Sequence, residues 1–207
     1  MMNDKFYNLD KEKQMKIINS GLQQFGIHGF KNANCDDIAS NAGISKGVLF
    51  HYFDNKKEFY LFLFHFCQKL MMKYIDIVEI KKIDDFFDLI DYGTDKKVEL
   101  LKKYPFILNF TIKAFYSLKE SVSKEMNEVI MKTIDSVFDV YFEHIDVNRF
   151  KDDMNPKQIC QMLLWMGEGY LLEKVRLNQP LNVGEILKDF NDWKIMFKNM
   201  CYKEENL

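Results

Sequence analysis

Proline and glycine are scarce in this chain, three and nine in 207 residues. A sheet protein with many tight turns needs more of both, because glycine supplies positive φ and proline presets turn geometry; the shortage points to an all-α fold. Cysteine is equally thin. Cys35, Cys67, Cys160 and Cys201 stand far apart with no Cys-x-x-Cys pair, which suits free thiols in a reducing compartment rather than a disulfide framework. His28, His51, His65 and His144 form neither HxH nor HxxxH, so no metal site is expected. No run is long and apolar enough to cross a bilayer: Phe59 to Cys67 is too short and is broken by His65, and no membrane partner is expected. The N-terminus is polar and charged, unlike a secretory signal, so the expected localisation is cytoplasmic. GxSxG, the P-loop and GxGxxG are missing. The pairs Asp84-Asp85 and Asp152-Asp153 lie in polar stretches and read as solvated surface. Nothing calls for a cofactor, and the expectation is a protein that is not an enzyme.

Charge of one sign is lacking too. The net charge is −2, and the first 60 residues carry eight lysines against seven acids, a balance of +1. Any nucleic-acid surface must therefore be local, with modest non-specific affinity.

Apolar residues are plentiful, at 47%, with nineteen phenylalanines and twelve methionines. The length allows one large or two small domains with a real core, and the Phe and Met content also suits an adaptable apolar cavity.

The informative stretch is Asn34 to Asp54, NCDDIASNAGISKGVLFHYFD. Ile38, Ala39, Ala42, Ile44, Leu49 and Tyr52 fall where two short helices joined by a turn need apolar or small contacts. Ala39 allows close approach, Gly43 follows four residues later where the turn wants positive φ, and Leu49 six residues after that points inward. Asn34 with Asp37 can cap the first helix, Ser45 the second, and Asn55 with Glu58 a third. This order is characteristic of a helix-turn-helix, a unit that lays its second helix, here Lys46 to Phe53, in the major groove of DNA. Leu49 and Phe53 should face inward, and Lys46, Gly47, Phe50 and His51 outward. His51 is the candidate base-edge reader. Tyr52 and Lys56 are candidate phosphate contacts, and Asn34 and Ser45 complete the candidate DNA-binding set.

With these residues in view, positions 10 to 66 resemble the DNA-binding domain of the TetR (tetracycline-repressor-like) transcriptional regulators. The resemblance rests on Phe25, Gly29-Phe30, Asp37-Ile38-Ala39, Ala42 to Gly47, Leu49 to Phe53 and Lys56-Lys57-Glu58. The chain departs from the family at Asn34, usually threonine, and at Phe50, usually a tyrosine whose hydroxyl reaches the DNA backbone. The resemblance implies a three-helix head at residues 1–58 on a larger helical effector-binding and dimerisation domain at 59–207. It also implies a long helix, here Asn55 to about Val78, that links effector binding to the spacing of two DNA heads.

Beyond residue 80 there is helical periodicity without a motif. Amphipathic stretches run over 83–90, from Pro105 through Phe115, over 122–145, over 156–177 and over 183–200, with a polar loop at 146–155. Gly93 is expected to break the first of them, and residues 1–9 to form a loose arm. Candidate ligand-binding residues are Phe66, Phe86, Phe106, Phe110, Trp165 and Tyr170, with Asn109 or Glu168 as polar anchors. The last two helices carry a near-heptad seam, and the candidate homodimer interface is Met162, Met166, Gly167, Ile186, Phe190, Trp193 and Phe197.

The reading that follows is a sequence-specific transcriptional regulator, a repressor whose grip on a double-stranded DNA operator is modulated by a small apolar effector. Two alternatives stay open. One is a nucleoid or architectural DNA-binding protein without an effector. The other is a helical lipophile-binding protein with a vestigial DNA head.

Overall fold

The computed structural model describes residues 4–116, 142–177 and 179–207. Among these the regular structure is helical, with no strand beyond a single antiparallel bridge between Phe150 and Tyr202. The expected helix over 122–145 lies almost wholly outside the described residues. Two compact units are present, one within Met1–Tyr74 and Glu99–Lys132, the other within Ile75–Val98 and Thr133–Leu207.

The first unit begins with a short turn, α1 (Asp4–Tyr7), and then α2 (Lys11–Asn32), α3 (Cys35–Asn41), α4 (Lys46–Phe53) and α5 (Lys56–Tyr74). Of the expected loose arm, residues 4–9 are held in place: Phe6 is buried, with its ring against Phe53 and Phe62. Phe6 burial does not act alone: the Gln14 amide donates to the Tyr7 and Leu9 carbonyls at 3.1 and 2.8 Å and anchors the segment to α2. Ile17, Leu22 and Phe25 of α2, Ile38 of α3, Leu49 of α4 and Phe59 and Leu63 of α5 are fully buried together. Helix α2 is interrupted at Gly29, whose φ of 72° no L side chain adopts comfortably.

Helix α8 (Ile107–Tyr116) belongs to the same unit and lies along α2. The approach is close at Gly26, where an added Cβ would stand 3.0 Å from the Phe110 backbone nitrogen and 3.1 Å from Asn109 Cβ. The Lys113 ammonium donates to the Ile27 carbonyl across the same contact.

In the second unit, α6 (Ile77–Ile80) follows the end of α5, so the expected long helix to Val78 is broken at residues 75–76. Asp76 caps α6 by accepting from Val78 N–H. Helix α7 (Phe86–Lys103) begins in this unit, with its residues from Glu99 on in the first, and runs unbroken through Gly93, since one glycine costs a helix only about 1 kcal/mol against alanine. Then come α9 (Pro156–Arg176), capped by Asn155 with proline in its first turn, and α10 (Val183–Cys201), capped by Asn182. The expected polar loop at 146–155 contains a buried residue, Phe150, which meets Phe86 and Tyr202 edge-on.

Asp85, expected on the surface, is 4% exposed. It accepts from the N–H groups of Phe87 (2.8 Å) and Asp88 (3.1 Å), capping α7, and pairs with Arg149 at 3.1 Å and Lys198 at 3.7 Å. Burial alone would raise its pKa. The Asp88 N–H, Lys198, the Phe87 N–H and the Tyr202 hydroxyl outweigh that and hold the carboxyl below its ordinary range. Asp84 next to it remains on the surface and pairs with Arg149 at 3.0 Å.

Candidate nucleic-acid interface

The two helices α3 and α4 are defined by their caps. Asn34 Oδ1 accepts from Asp36 N–H at 2.9 Å, and Ser45 Oγ accepts from Val48 N–H at 3.3 Å. The Asn34 partner is thus the second helical residue, and Asp37 is no part of a capping box. Between the helices Gly43 takes φ 70°, with nothing within 4 Å of where a Cβ would be, so backbone conformation and not crowding selects glycine. Ile44 N–H returns to the Ala39 carbonyl at 3.0 Å, which closes the turn. Asn55 Oδ1 accepts from Glu58 N–H at 3.0 Å, which gives α5 the expected start.

Leu49 and Phe53 of α4 are buried in the core, which leaves the opposite face outward. Lys46, Gly47 and His51 are exposed on that face. Phe50 is half-buried and packs against the core, so carbon contacts replace the hydrogen bond a tyrosine would make there. Tyr52 is half-buried, with its ring against Phe6 and Phe53.

Two lysines have partners that the sequence did not suggest. Lys56 Nζ donates to the carbonyls of Ala33 at 2.6 Å and Lys31 at 3.2 Å and sits over the Phe30 ring. It therefore satisfies the end of α2, where a cation suits the negative end of the helix dipole, and is not turned outward as a phosphate contact. Lys46 Nζ donates to Asp36 Oδ2 at 2.9 Å, joining the first turns of α4 and α3. This hydrogen bond is the main cause of a raised lysine pKa, and the ammonium stays charged.

Residues 17–62 match the family model described as "Bacterial regulatory proteins, tetR family". The head formed by those residues is of the TetR type. In a helix-turn-helix of this type the second helix, here α4, is the one expected to enter the major groove. No curated protein matches the chain in sequence. Solved structures match its fold at low identity. A TetR family transcriptional regulator from Chloroflexus aurantiacus superposes with a TM-score of 0.67 at 16% identity, covering 99% of this chain and 100% of that one. The fatty acid degradation regulator FadR from Bacillus halodurans gives 0.65 at 16% identity, covering 87% and 96%. The Bacillus subtilis FadR, solved in complex with stearoyl-CoA, gives 0.64 at 18% identity, covering 89% and 96%.

The ligand candidates fall into different surroundings. In the first unit, Phe110 is fully buried in the core against Phe25 and Tyr60, so it fills space and lines none. Phe66 and Phe106 are half-buried against that same core, Phe66 edge-on to Tyr104, and Asn109 lies beside Gly26 on the exposed side of α8. In the second unit Phe86 is a core residue. Trp165 is 62% exposed and Glu168 is exposed, so neither faces inward. Tyr170 donates to Asp189 at 2.6 Å and meets Trp193 edge-on, which spends its hydroxyl within the helix pair.

The expected dimer seam is also redistributed. Phe197 is buried in the core of its unit and Met166 packs against that core. Phe190 stands 3.9 Å from the Cβ position of Gly167 and edge-on to Trp193, so these three join α9 to α10 within one chain. Ile186 is half-buried, and only Met162 of the expected set is exposed, at 45%. The exposed large apolar residues of the two helices are Met162, Leu164, Trp165 and Leu172 on α9 and Ile195, Met196 and Met200 on α10. The periodic seam thus includes residues that face the neighbouring helix of the same chain.

Proposed function

We propose that the chain is a homodimeric repressor whose operator binding is modulated by a small apolar effector, with DNA reading in residues 1–58 and effector binding and dimerisation in residues 59–207. The observation that carries the reading is the intact pair of capped helices whose outward face presents Lys46, Gly47 and His51. A weakly charged head gains from being doubled, because two heads reach successive major grooves roughly 34–36 Å apart. The exposed Met162, Trp165, Leu172, Ile195, Met196 and Met200 support burial of α9 and α10 against a second copy, since a monomer rarely leaves such side chains in water in one region. The stearoyl-CoA held by the Bacillus subtilis FadR makes long acyl chains the first effector class to test. An effector acts only through different affinities for the DNA-competent and DNA-incompetent states. No helix among the described residues is long and apolar enough to cross a membrane.

Selection from a random duplex pool tests the reading. Enrichment of a two-fold symmetric site, released on addition of stearoyl-CoA, is the expected result. Absence of any enriched site at low salt would overturn the DNA-regulator reading, and a site that no acyl ligand releases would remove that effector class.

A further inference from the structure

We infer that Asp36 and Lys46 form one reading unit that recognises a G·C base pair in each half-site, an inference that rests on the DNA-binding reading above. The pair joins the first turns of two helices, α3 and α4, at 2.9 Å, and both side chains are reachable, with 48% of Lys46 and 61% of Asp36 exposed. In a helix-turn-helix the N-terminal residues of the second helix meet base edges while the first helix crosses the backbone, which puts Lys46 where bases are read.

The chemistry then follows from counting donors and acceptors. A lysine ammonium has three N–H donors. One goes to Asp36 Oδ2, and two remain, enough for O6 and N7 of guanine, the commonest specific contact a cation makes in the major groove. A carboxylate oxygen accepts more than one hydrogen bond, so Asp36 can also take the N4 amino group of the paired cytosine. Guanine O6 and cytosine N4 are themselves hydrogen-bonded, so they lie about 2.9 Å apart, the spacing of Lys46 Nζ and Asp36 Oδ2. Two donors and one acceptor at that spacing complement the acceptor, acceptor, donor edge of a G·C pair. An A·T pair presents its donor and acceptor in a different order and leaves the carboxylate facing an oxygen.

The same geometry explains an acidic residue on a DNA-facing surface with little positive charge to lose. Facing phosphates alone, Asp36 only repels, and it also keeps Lys46 from serving as a general phosphate cation. A carboxylate in that place weakens binding to all DNA and is repaid only where a cytosine amino group is presented.

Duplex selection with the wild type, Asp36→Ala, Lys46→Ala and the double variant tests this, with thermal unfolding as the check that each is folded. The wild-type site is expected to hold one G·C pair per half-site at which either single variant loses discrimination by roughly 5- to 150-fold. The double variant is expected to lose little more than the larger single one, because the two act as a unit. Asp36→Ala is also expected to bind random DNA more tightly than the wild type. The inference is overturned if both variants keep the wild-type preference at every position. It is equally overturned if Lys46→Ala weakens all sequences alike and lowers the salt slope by about one, the signature of a phosphate contact. Failure of the wild type to select any symmetric site would instead remove the DNA-regulator reading, and this inference with it.

Discussion

The two units hold themselves together by different means. In the first, ring packs on ring: Phe6, Phe53, Phe59, Phe62, Phe25, Tyr60 and Phe110 form a continuous aromatic core, with centroid separations from 4.6 Å for Phe53–Phe59 to 6.5 Å for Phe25–Phe110. The second also has an aromatic cluster, Phe86, Phe87, Phe150 and Tyr202, but that cluster is pinned by a buried carboxylate. Packing of the first kind does not depend on a buried carboxylate being ionised. Packing of the second kind depends on a charge state, because a lone buried charge is costly and only its partners make it favourable.

The contrast is broken most sharply from the aromatic side. Phe59→Ala should destabilise the first unit by about 3–5 kcal/mol, the usual cost of emptying a phenylalanine site, read as a shift in the urea midpoint. Asp85→Ala should cost about 3 kcal/mol in the second unit, since it uncaps α7 and takes the buried carboxylate from Lys198 and from Arg149, which keeps Asp84. The pH dependence gives its sign. The folded-state pKa of Asp85 lies below the unfolded value of about 3.9, so its contribution is complete above that value. It is lost as pH falls through the depressed folded-state pKa. Acid unfolding of Asp85→Asn, followed by circular dichroism, should therefore be shallower than that of the wild type, and an identical acid limb would remove Asp85 from the account.

Smaller effects sharpen the comparison. Lys56→Ala should lower stability by about 1 kcal/mol through the lost carbonyl contacts at the end of α2, with the salt slope of DNA binding unchanged. A slope lower by about one unit would return Lys56 to the phosphate footprint. Trp165→Glu should leave unfolding of the single chain within about 0.5 kcal/mol of wild type, as for other exposed positions. Its effect should appear in sedimentation, as a dimer that dissociates at higher protein concentration.

The head was legible because its signals are local. The caps at Asn34, Ser45 and Asn55 and the turn glycine at 43 each act on residues two to five positions away, and the inward Leu49 and Phe53 follow from four-residue spacing. The second unit hid its anchors because they join distant parts of the chain. Asp85 meets Arg149 across 64 positions, and Phe86 N–H donates to Tyr202 across 116. No window along the sequence contains both partners, so Asp85 resembled any solvated acid. Lys46 and Asp36 lie ten apart on different helices, and for the same reason that pairing showed only in three dimensions. The expected dimer seam met a different obstacle. Periodicity marks an apolar face on α9 and α10 but does not say whether the neighbour is the next helix or another copy of the chain.

At Gly26, α2 and α8 meet with no side chain of α2 between them. In kinematic terms this is a joint without play. Two helices separated by leucines or methionines can slide by a fraction of an ångström while side chains change rotamer and absorb the motion. Backbone seated against backbone has no such slack, so a shift of α8 is passed to α2 at nearly full amplitude. Phe25, one residue along, is buried against Phe110, and Lys113 holds the Ile27 carbonyl on the other side. The three contacts fix position and rotation at once, and α8 moves as one body with the helix against which α3 and α5 are packed.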